Sequence, residues 1–267
     1  MGLVAIFGAG VMGETLLSGL LRAGRSTDDI VITERRPDRA AELSGRYGVK
    51  VLSNLEAADL ADTLVFVVKP QDMGALCDEI AGHVQRDNLV VSLAAGITTE
   101  FLESRLPDGV PVVRVMANTP ALVDQGMAAV SGGAHCDEQH LVEAEQLLAT
   151  VGRVLRIEEK HLDAVTAVSG SGPAYVFYVA EAMIEAGVFL GMPRATVTEL
   201  VAQTLYGSAT MLRETGEHPS VLRENVTSPG GTTVAALRVL DDHKVRAAFI
   251  SALEAARDRS HDLASGQ

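Results

Sequence analysis

The apolar run Leu3-Val-Ala-Ile-Phe7 breaks directly into Gly8-Ala-Gly10-Val-Met-Gly13, and a helical pattern through Leu16, Leu17, Leu20 and Leu21 carries on to Gly24. A short, continuous apolar run suits a strand buried on both faces of a parallel sheet. Strand, G-x-G-x-x-G and helix in that order constrain the fold more than anything else in the chain. Gly8 permits the tight turn, Gly10 lets a pyrophosphate reach the backbone, and Gly13 allows helix and strand to pack closely. Gly8, Ala9, Gly10, Val11, Met12 and Gly13 are therefore expected against a dinucleotide cofactor.

The second strand, Ile30–Thr33, ends at Glu34-Arg35-Arg36, about 20 residues past the glycines, where a ribose is read. An acidic residue there binds the ribose hydroxyls of NAD, whereas arginines pair with the 2′-phosphate of NADP. Two adjacent arginines favour NADPH, with NADH as the alternative. The competing reading of the segment is a charged helix start before Pro37-Asp38.

Alternation continues through helix Arg39–Tyr47, strand Val49–Val51, a short acidic helix after Asn54, and strand Thr63–Val68. Helix Met73–Val84, strand Leu89–Ser92, helix Thr99–Arg105 and strand Val112–Val115 follow. Strands alternating with helices make a doubly wound parallel sheet that binds ligands outside the carboxyl ends of its strands. Those ends are small or polar here: Val68-Lys69-Pro70, Ala94-Ala95-Gly96 and Ala117-Asn118-Thr119-Pro120. Lys69 reads as a cofactor-edge or surface lysine in preference to a catalytic one.

After helix Glu138–Thr150 and a last strand, Val154–Ile157, the pattern is helical to the end, including Tyr175–Leu190, Thr196–Glu214 and Arg246–Ala264. These helices are apolar on several faces and so need partners on several faces, which points to a second subunit. Ala167-Val-Ser-Gly-Ser-Gly-Pro-Ala174 interrupts the first of them with small residues, as a kink or a close helix contact requires. The break between the two parts falls near residues 158–160.

A net charge of −13 argues against nucleic acid or an anionic membrane as partner. Cys77 and Cys136 are too few for a disulfide framework, and His135, Cys136 and His140 read as a solvated loop, so no metal is expected. No signal or spanning segment is visible, and a cytoplasmic location is the expectation.

Val226-Thr-Ser-Pro-Gly-Gly-Thr-Thr233 is the second informative stretch. Pro229 restricts the turn, Gly230 and Gly231 leave room for a ligand, and Ser228, Thr232 and Thr233 add hydroxyls at a helix start. Exposed N–H groups at the positive end of the helix dipole bind anions, a carboxylate among them. A tight helix-to-helix turn with Ser/Thr capping is the other reading.

Over essentially its full length the chain resembles the pyrroline-5-carboxylate reductases. The resemblance rests on Gly8-x-Gly10-x-Met12-Gly13, Val68-Lys69-Pro70, Asn118-Thr119-Pro120, Ala167-Val-Ser-Gly-Ser-Gly-Pro-Ala-Tyr175 and Val226–Thr233. One departure is Ala117, where the family usually has Pro. The resemblance implies NAD(P)H-dependent reduction of L-1-pyrroline-5-carboxylate to L-proline, the last step of proline biosynthesis. It also implies an α/β, Rossmann-like dinucleotide-binding domain over 1–159 and an all-α dimerisation and substrate-binding domain over 160–267, in homodimers assembling into decamers. Carried over, the cofactor residues are the Gly8–Gly13 turn, Glu34, Arg35, Arg36, Asn54, Val68, Lys69, Pro70, Leu93, Ala94 and Ala95. The residues for the cyclic imino acid are Glu159, Asn225, Ser228, Gly230, Gly231, Thr232 and Thr233. Gly230 and Gly231 are expected to offer N–H groups to its carboxylate, and Thr233, the catalytic candidate, to hold the imine nitrogen.

Other readings are a hydroxyacid dehydrogenase with Lys160 as its base, a deazaflavin-linked NADP reductase, an imine reductase for another substrate, and a silent dinucleotide-binding protein. The first lacks that family's residues around Lys160, and the second leaves Ser228–Thr233 unexplained.

Overall fold

The computed structural model describes residues 2–264; Met1 and residues 265–267, the outer ends of the two expected domains, lie outside the described residues. The described chain divides into two compact units, one running up to Ser171 and resuming at Ala256, the other Gly172–Ala255.

In the first unit the strands are β1 Val4–Phe7, β2 Ile30–Thr33, β3 Lys50–Val51, β4 Thr63–Phe66, β5 Leu89–Ser92, β6 Val112–Met116, β7 Gly126–Gly132 and β8 Gly152–Arg156. They form one sheet in the order β3-β2-β1-β4-β5-β6-β7-β8. Helices α1 Val11–Arg22, α2 Pro37–Tyr47, α3 Asn54–Leu60, α4 Pro70–Ile80, α5 Thr99–Glu103 and α6 Glu138–Leu148 connect the strands.

β1, β2, β4 and β5 are buried at every position, because helices cover both faces of the sheet. Alternate residues divide between two cores. Val4 and Ile6 pack with Leu16, Leu17 and Leu20 of α1, and Ala5 and Phe7 pack with Met73 and Leu76 of α4. Phe7 and Phe66 meet edge to face with centroids 5.4 Å apart, side by side on neighbouring strands. α2 and α4 begin at Pro37 and Pro70, earlier than the expected Arg39 and Met73, since proline at the first helical position gives up no intrahelical bond.

The sheet is not parallel throughout. β7 was not expected, and it runs antiparallel to β6 while pairing in parallel with β8. Its sequence, GMAAVSG, is too small and weakly patterned to announce a strand. The small residues have a steric cause: Gly126 and Gly152 are partners in the ladder, and a Cβ on Gly152 would overlap the Gly126 carbonyl.

Beyond β8, a short helix α7, Leu162–Val165, runs into a π-helical turn at Thr166–Gly170, where the small-residue run had suggested a kink. The second unit holds α8 Gly172–Phe189, α9 Arg194–Thr215, α10 Pro219–Asn225, α11 Thr232–Asp242 and the start of α12 Val245–Ala264. α8 and α9 meet closely at Gly187, where a Cβ would overlap the Val197 side chain. Val197 and Val201 are buried, whereas Phe177, Tyr178, Phe189, Leu190 and Tyr206 are exposed, Phe189 at 91%. One chain thus leaves this helical unit without an enclosed core. Among the described residues no helix is long and apolar enough to cross a membrane.

Candidate functional site

The carboxyl edge of the sheet collects the sequence-predicted cofactor residues. Gly8 has φ 94°, the turn that lets the chain leave β1, and its N–H is held by the Thr33 carbonyl at 3.1 Å. A Cβ on Gly13 would overlap the Gly8 carbonyl, whereas a Cβ on Gly10 would meet nothing within 4 Å. Gly13 is therefore required by the fold, and the open space is at Gly10. α1 starts there, with its first paired amide at Glu14 donating to the Gly10 carbonyl at 2.9 Å. The N–H groups of Val11, Met12 and Gly13 are the unpaired donors of the helix start, pointing where a phosphate fits. Ala9 is buried and Val11 is 68% exposed, so the turn supplies backbone more than side chains.

Glu14 ties this turn to α2. Its carboxylate accepts from the Tyr47 hydroxyl and the Arg46 guanidinium at 2.8 Å each, and pairs with Arg39. Burial pushes the Glu14 carboxyl up, but the hydrogen bonds from Tyr47 and Arg39 and the charges of Arg39 and Arg46 outweigh it, leaving the group below its ordinary value.

At the tip of β2, Glu34 Oε1 accepts the Arg36 N–H at 3.0 Å and faces the Arg36 Nε at 3.4 Å. The Glu34 side chain is only 10% exposed while that of Arg36 is 63% exposed, so the cation is outermost. Arg35 pairs instead with Asp72 of α4 at 2.7 Å. Asn54 opens α3 and donates to Glu79 at 2.8 Å. Val68, Lys69 and Pro70 form the turn from β4 into α4, with Lys69 and Pro70 exposed. Leu93, Ala94 and Ala95 follow β5, Ala94 buried and Ala95 exposed.

Glu159 belongs to the first unit, in the turn Glu159–His161. It was expected at the substrate, yet its carboxylate is occupied by Thr99 N at 2.9 Å, Thr99 Oγ1 at 2.5 Å and Arg114 Nη1 at 3.1 Å. Sequence reasoning missed Thr99 and Arg114, whose distance from Glu159 along the chain leaves no local signal. Among the described residues no cluster of three His, Cys, Asp or Glu could hold a metal, and His140 serves instead in the capping box of α6 with Asp137.

The remaining substrate candidates lie together in the second unit, between α10 and α11. Asn225 ends α10, and Ser228, Gly230 and Thr232 are exposed. Gly230 has φ 67°, the left-handed value that turns the chain into α11. Gly231 departs from expectation: its N–H is spent on the Ser228 carbonyl at 3.1 Å. The first helical amide to pair is Ala235, with the Gly231 carbonyl at 3.3 Å. Thr232, Thr233 and Val234 therefore carry the free donors of the α11 start. The Thr233 hydroxyl is half-buried and has no hydrogen bond among the described residues, unlike those of Thr198, Thr204 and Thr210, which bond back along α9. The arrangement can hold a carboxylate on amides with a free hydroxyl beside it.

Comparison with known proteins gives two family matches, pyrroline-5-carboxylate reductase dimerisation at residues 159–263 and NADP oxidoreductase, coenzyme F420-dependent, at residues 3–96. The pyrroline-5-carboxylate reductase of Corynebacterium melassecola is 47% identical over 264 residues, 97% of this chain and 98% of that protein. A pyrroline-5-carboxylate reductase structure from Coxiella burnetii superposes with a TM-score of 0.93 at 35% identity, covering 98% of each chain. The Plasmodium falciparum pyrroline carboxylate reductase, solved with NADP bound, gives 0.88 at 28% identity over 98% of each chain.

Proposed function

The chain belongs to the pyrroline-5-carboxylate reductase family and is an NAD(P)H-dependent oxidoreductase reducing L-1-pyrroline-5-carboxylate to L-proline; we propose the following roles for its residues. One observation carries the assignment: the chain joins a glycine turn open at Gly10 to a second helix start whose amides and Thr233 hydroxyl are unengaged.

Gly8–Gly13 fit a dinucleotide, since the space at Gly10 and the free amides of α1 are what a pyrophosphate needs. Arg36 stands outside Glu34 at the β2 tip and partly neutralises it, which suits a 2′-phosphate and favours NADPH over NADH. Asn54, Val68–Pro70 and Leu93–Ala95 complete that edge. When bound there, NADPH supplies the hydride that reduces the imine carbon.

The amides of Thr232, Thr233 and Val234, with Ser228 and Asn225, hold the substrate carboxylate. Gly230 and Gly231 shape the loop that exposes them. Thr233 donates to or accepts from the ring nitrogen and keeps the ring in one orientation while charge shifts there. The division into residues 1–159 for nucleotide and 160–267 for dimerisation and substrate is part of the same proposal.

The protein is a homo-oligomer, and the exposed apolar faces of α8 and α9 are its subunit contacts. A decamer built from dimers and a cytoplasmic location belong to the proposal. The test is direct: purified protein with NADPH and the cyclic imine should oxidise the cofactor and form proline in equal amounts. NADPH binding without imine-dependent oxidation would leave only a dinucleotide-binding protein.

A further inference from the structure

α5 is a helix with two caps. Thr98 accepts the Phe101 N–H at 3.1 Å, the ordinary local cap. The Thr99 N–H, one of the helix-start donors that no local group satisfies, is taken by Glu159, 60 residues further on, at 2.9 Å. The same carboxylate takes the Thr99 hydroxyl and pairs with Arg114, a residue of β6 that is only 7% exposed. Three donors converge on one carboxylate, and two of them belong to the residue that ends the loop after β5. Apart from the packing of Leu93, Ala94 and Ile97 against the two cores, that loop has few bonds to fix it. Leu93 N–H is held by the Phe66 carbonyl at 2.9 Å, and the remaining bonds, Ala94 to Ser92 and Ile97 to Ala94, are 3.4 Å long. Gly96, at φ 75°, adds freedom in the middle.

We propose that Glu159 is a positioning residue for the cofactor, not a ligand of the substrate: through Thr99 it holds Leu93-Ala94-Ala95 at the height where the loop meets the dinucleotide. The proposal rests on the assignment of that loop to the cofactor site. Burial raises the Glu159 carboxyl, but the Thr99 bonds and Arg114 more than offset this and keep it below its ordinary value, so the clamp is ionised at neutral pH. A carboxylate already holding three donors has little capacity left for a ligand, whose own carboxylate it would also repel.

The test uses the full-length protein and a readout that needs no turnover, NADPH binding followed by fluorescence, with proline as a second ligand. Glu159→Gln should weaken NADPH about tenfold and Thr99→Val about threefold, with proline affinity changed less than about twofold, as expected for a displaced contact loop. Thr99→Ser, which keeps the hydroxyl, should restore native NADPH affinity. If Glu159→Gln fails to fold because Arg114 loses its partner, Thr99→Val, which leaves that pair intact, decides alone. Unchanged NADPH affinity with weakened proline would return Glu159 to the substrate, and unchanged affinity for both with lower thermal stability would make it a structural brace. Either outcome overturns the proposal. Absence of imine turnover in the unaltered protein would instead count against the assigned reaction.

Discussion

Asn118 donates its side-chain amide to both the carbonyl and the hydroxyl of Ser169, at 3.2 Å each, while its own carbonyl oxygen accepts the Met127 N–H at 2.8 Å. The bond joins the strand-end segment Ala117–Pro120 to the π-helical turn Thr166–Gly170, two stretches that stand apart in the sequence. It accounts for an asparagine at this position, since neither a carboxylate nor a hydroxyl can donate twice and accept as well.

Asn118→Ala removes all three bonds and leaves the Met127 amide without its partner. A loss of about 1–3 kcal/mol in urea unfolding is expected. Asn118→Asp keeps the acceptor for Met127 but cannot donate to Ser169, so it should fall between alanine and the native residue. Equal losses for the two variants would mean that the Met127 bond contributes nothing, and an Asn118→Asp protein as stable as the native one would mean that the Ser169 bonds contribute nothing.

The two glycines of the opening turn should separate fold from function. A side chain on Gly13 meets the Gly8 carbonyl, while one on Gly10 enters open space. Gly13→Ala should therefore lower thermal stability, and Gly10→Val should leave it native while abolishing NADPH binding. Calorimetry with and without NADPH distinguishes them, and a Gly10→Val protein still stabilised by NADPH would remove Gly10 from the cofactor site.

This contrast shows what a single sequence can disclose. β1, the glycine turn and α1 were legible because each rests on neighbouring residues: an apolar run, a fixed glycine spacing and a helical period. The start of α11 was legible for the same reason. β7 was not, because its glycines answer to close packing, Gly126 against Ala121 and Val151 and Gly132 against Cys136 and Leu141, and not to a strand pattern. Nor could the sequence show that Gly231 spends its amide on Ser228, or that Glu159 faces Thr99, because both depend on how a turn closes or on residues far apart in the chain.

The Glu14 cluster makes an acid-side prediction. Its folded pKa lies below the ordinary value of 4.5, so the carboxylate stabilises the fold above that pH and the contribution fades as pH falls through the lowered value. Glu14→Gln should be less stable than the native protein at pH 7, and the gap should narrow steadily as the pH drops below 4.5. A gap independent of pH in urea titrations would assign the effect to packing and not to ionisation.

The two arginines at the β2 tip should differ. Arg36 lies against the nearly buried Glu34, whereas Arg35, the more exposed of the two, is drawn to Asp72. Arg36→Ala should raise the NADPH KM about tenfold through loss of a charge-assisted phosphate contact, with little change for NADH. Arg35→Ala should do markedly less, and equal effects on the two cofactors would reduce Arg36 to surface charge.

The last prediction concerns the start of α11. A Cβ on Gly231 would displace the Ser228 hydroxyl and press on its carbonyl, so Gly231→Ala shifts the loop's own contacts as well as touching whatever binds it. Thr233→Ala is the cleaner probe, because the Thr233 hydroxyl has no bond to lose among the described residues and the helix amides stay in place. Folding stability should therefore be nearly unchanged. Turnover should fall by the equivalent of about 1–3 kcal/mol if the hydroxyl holds the ring nitrogen in a site shut off from water. Proline should still bind competitively, as the proposed seat of its carboxylate on the amides requires. Thr233→Ser should recover most of the rate and Thr233→Val should behave as alanine does. A Thr233→Ala enzyme with native kcat would take the hydroxyl out of the reaction and leave α11 with its amides alone.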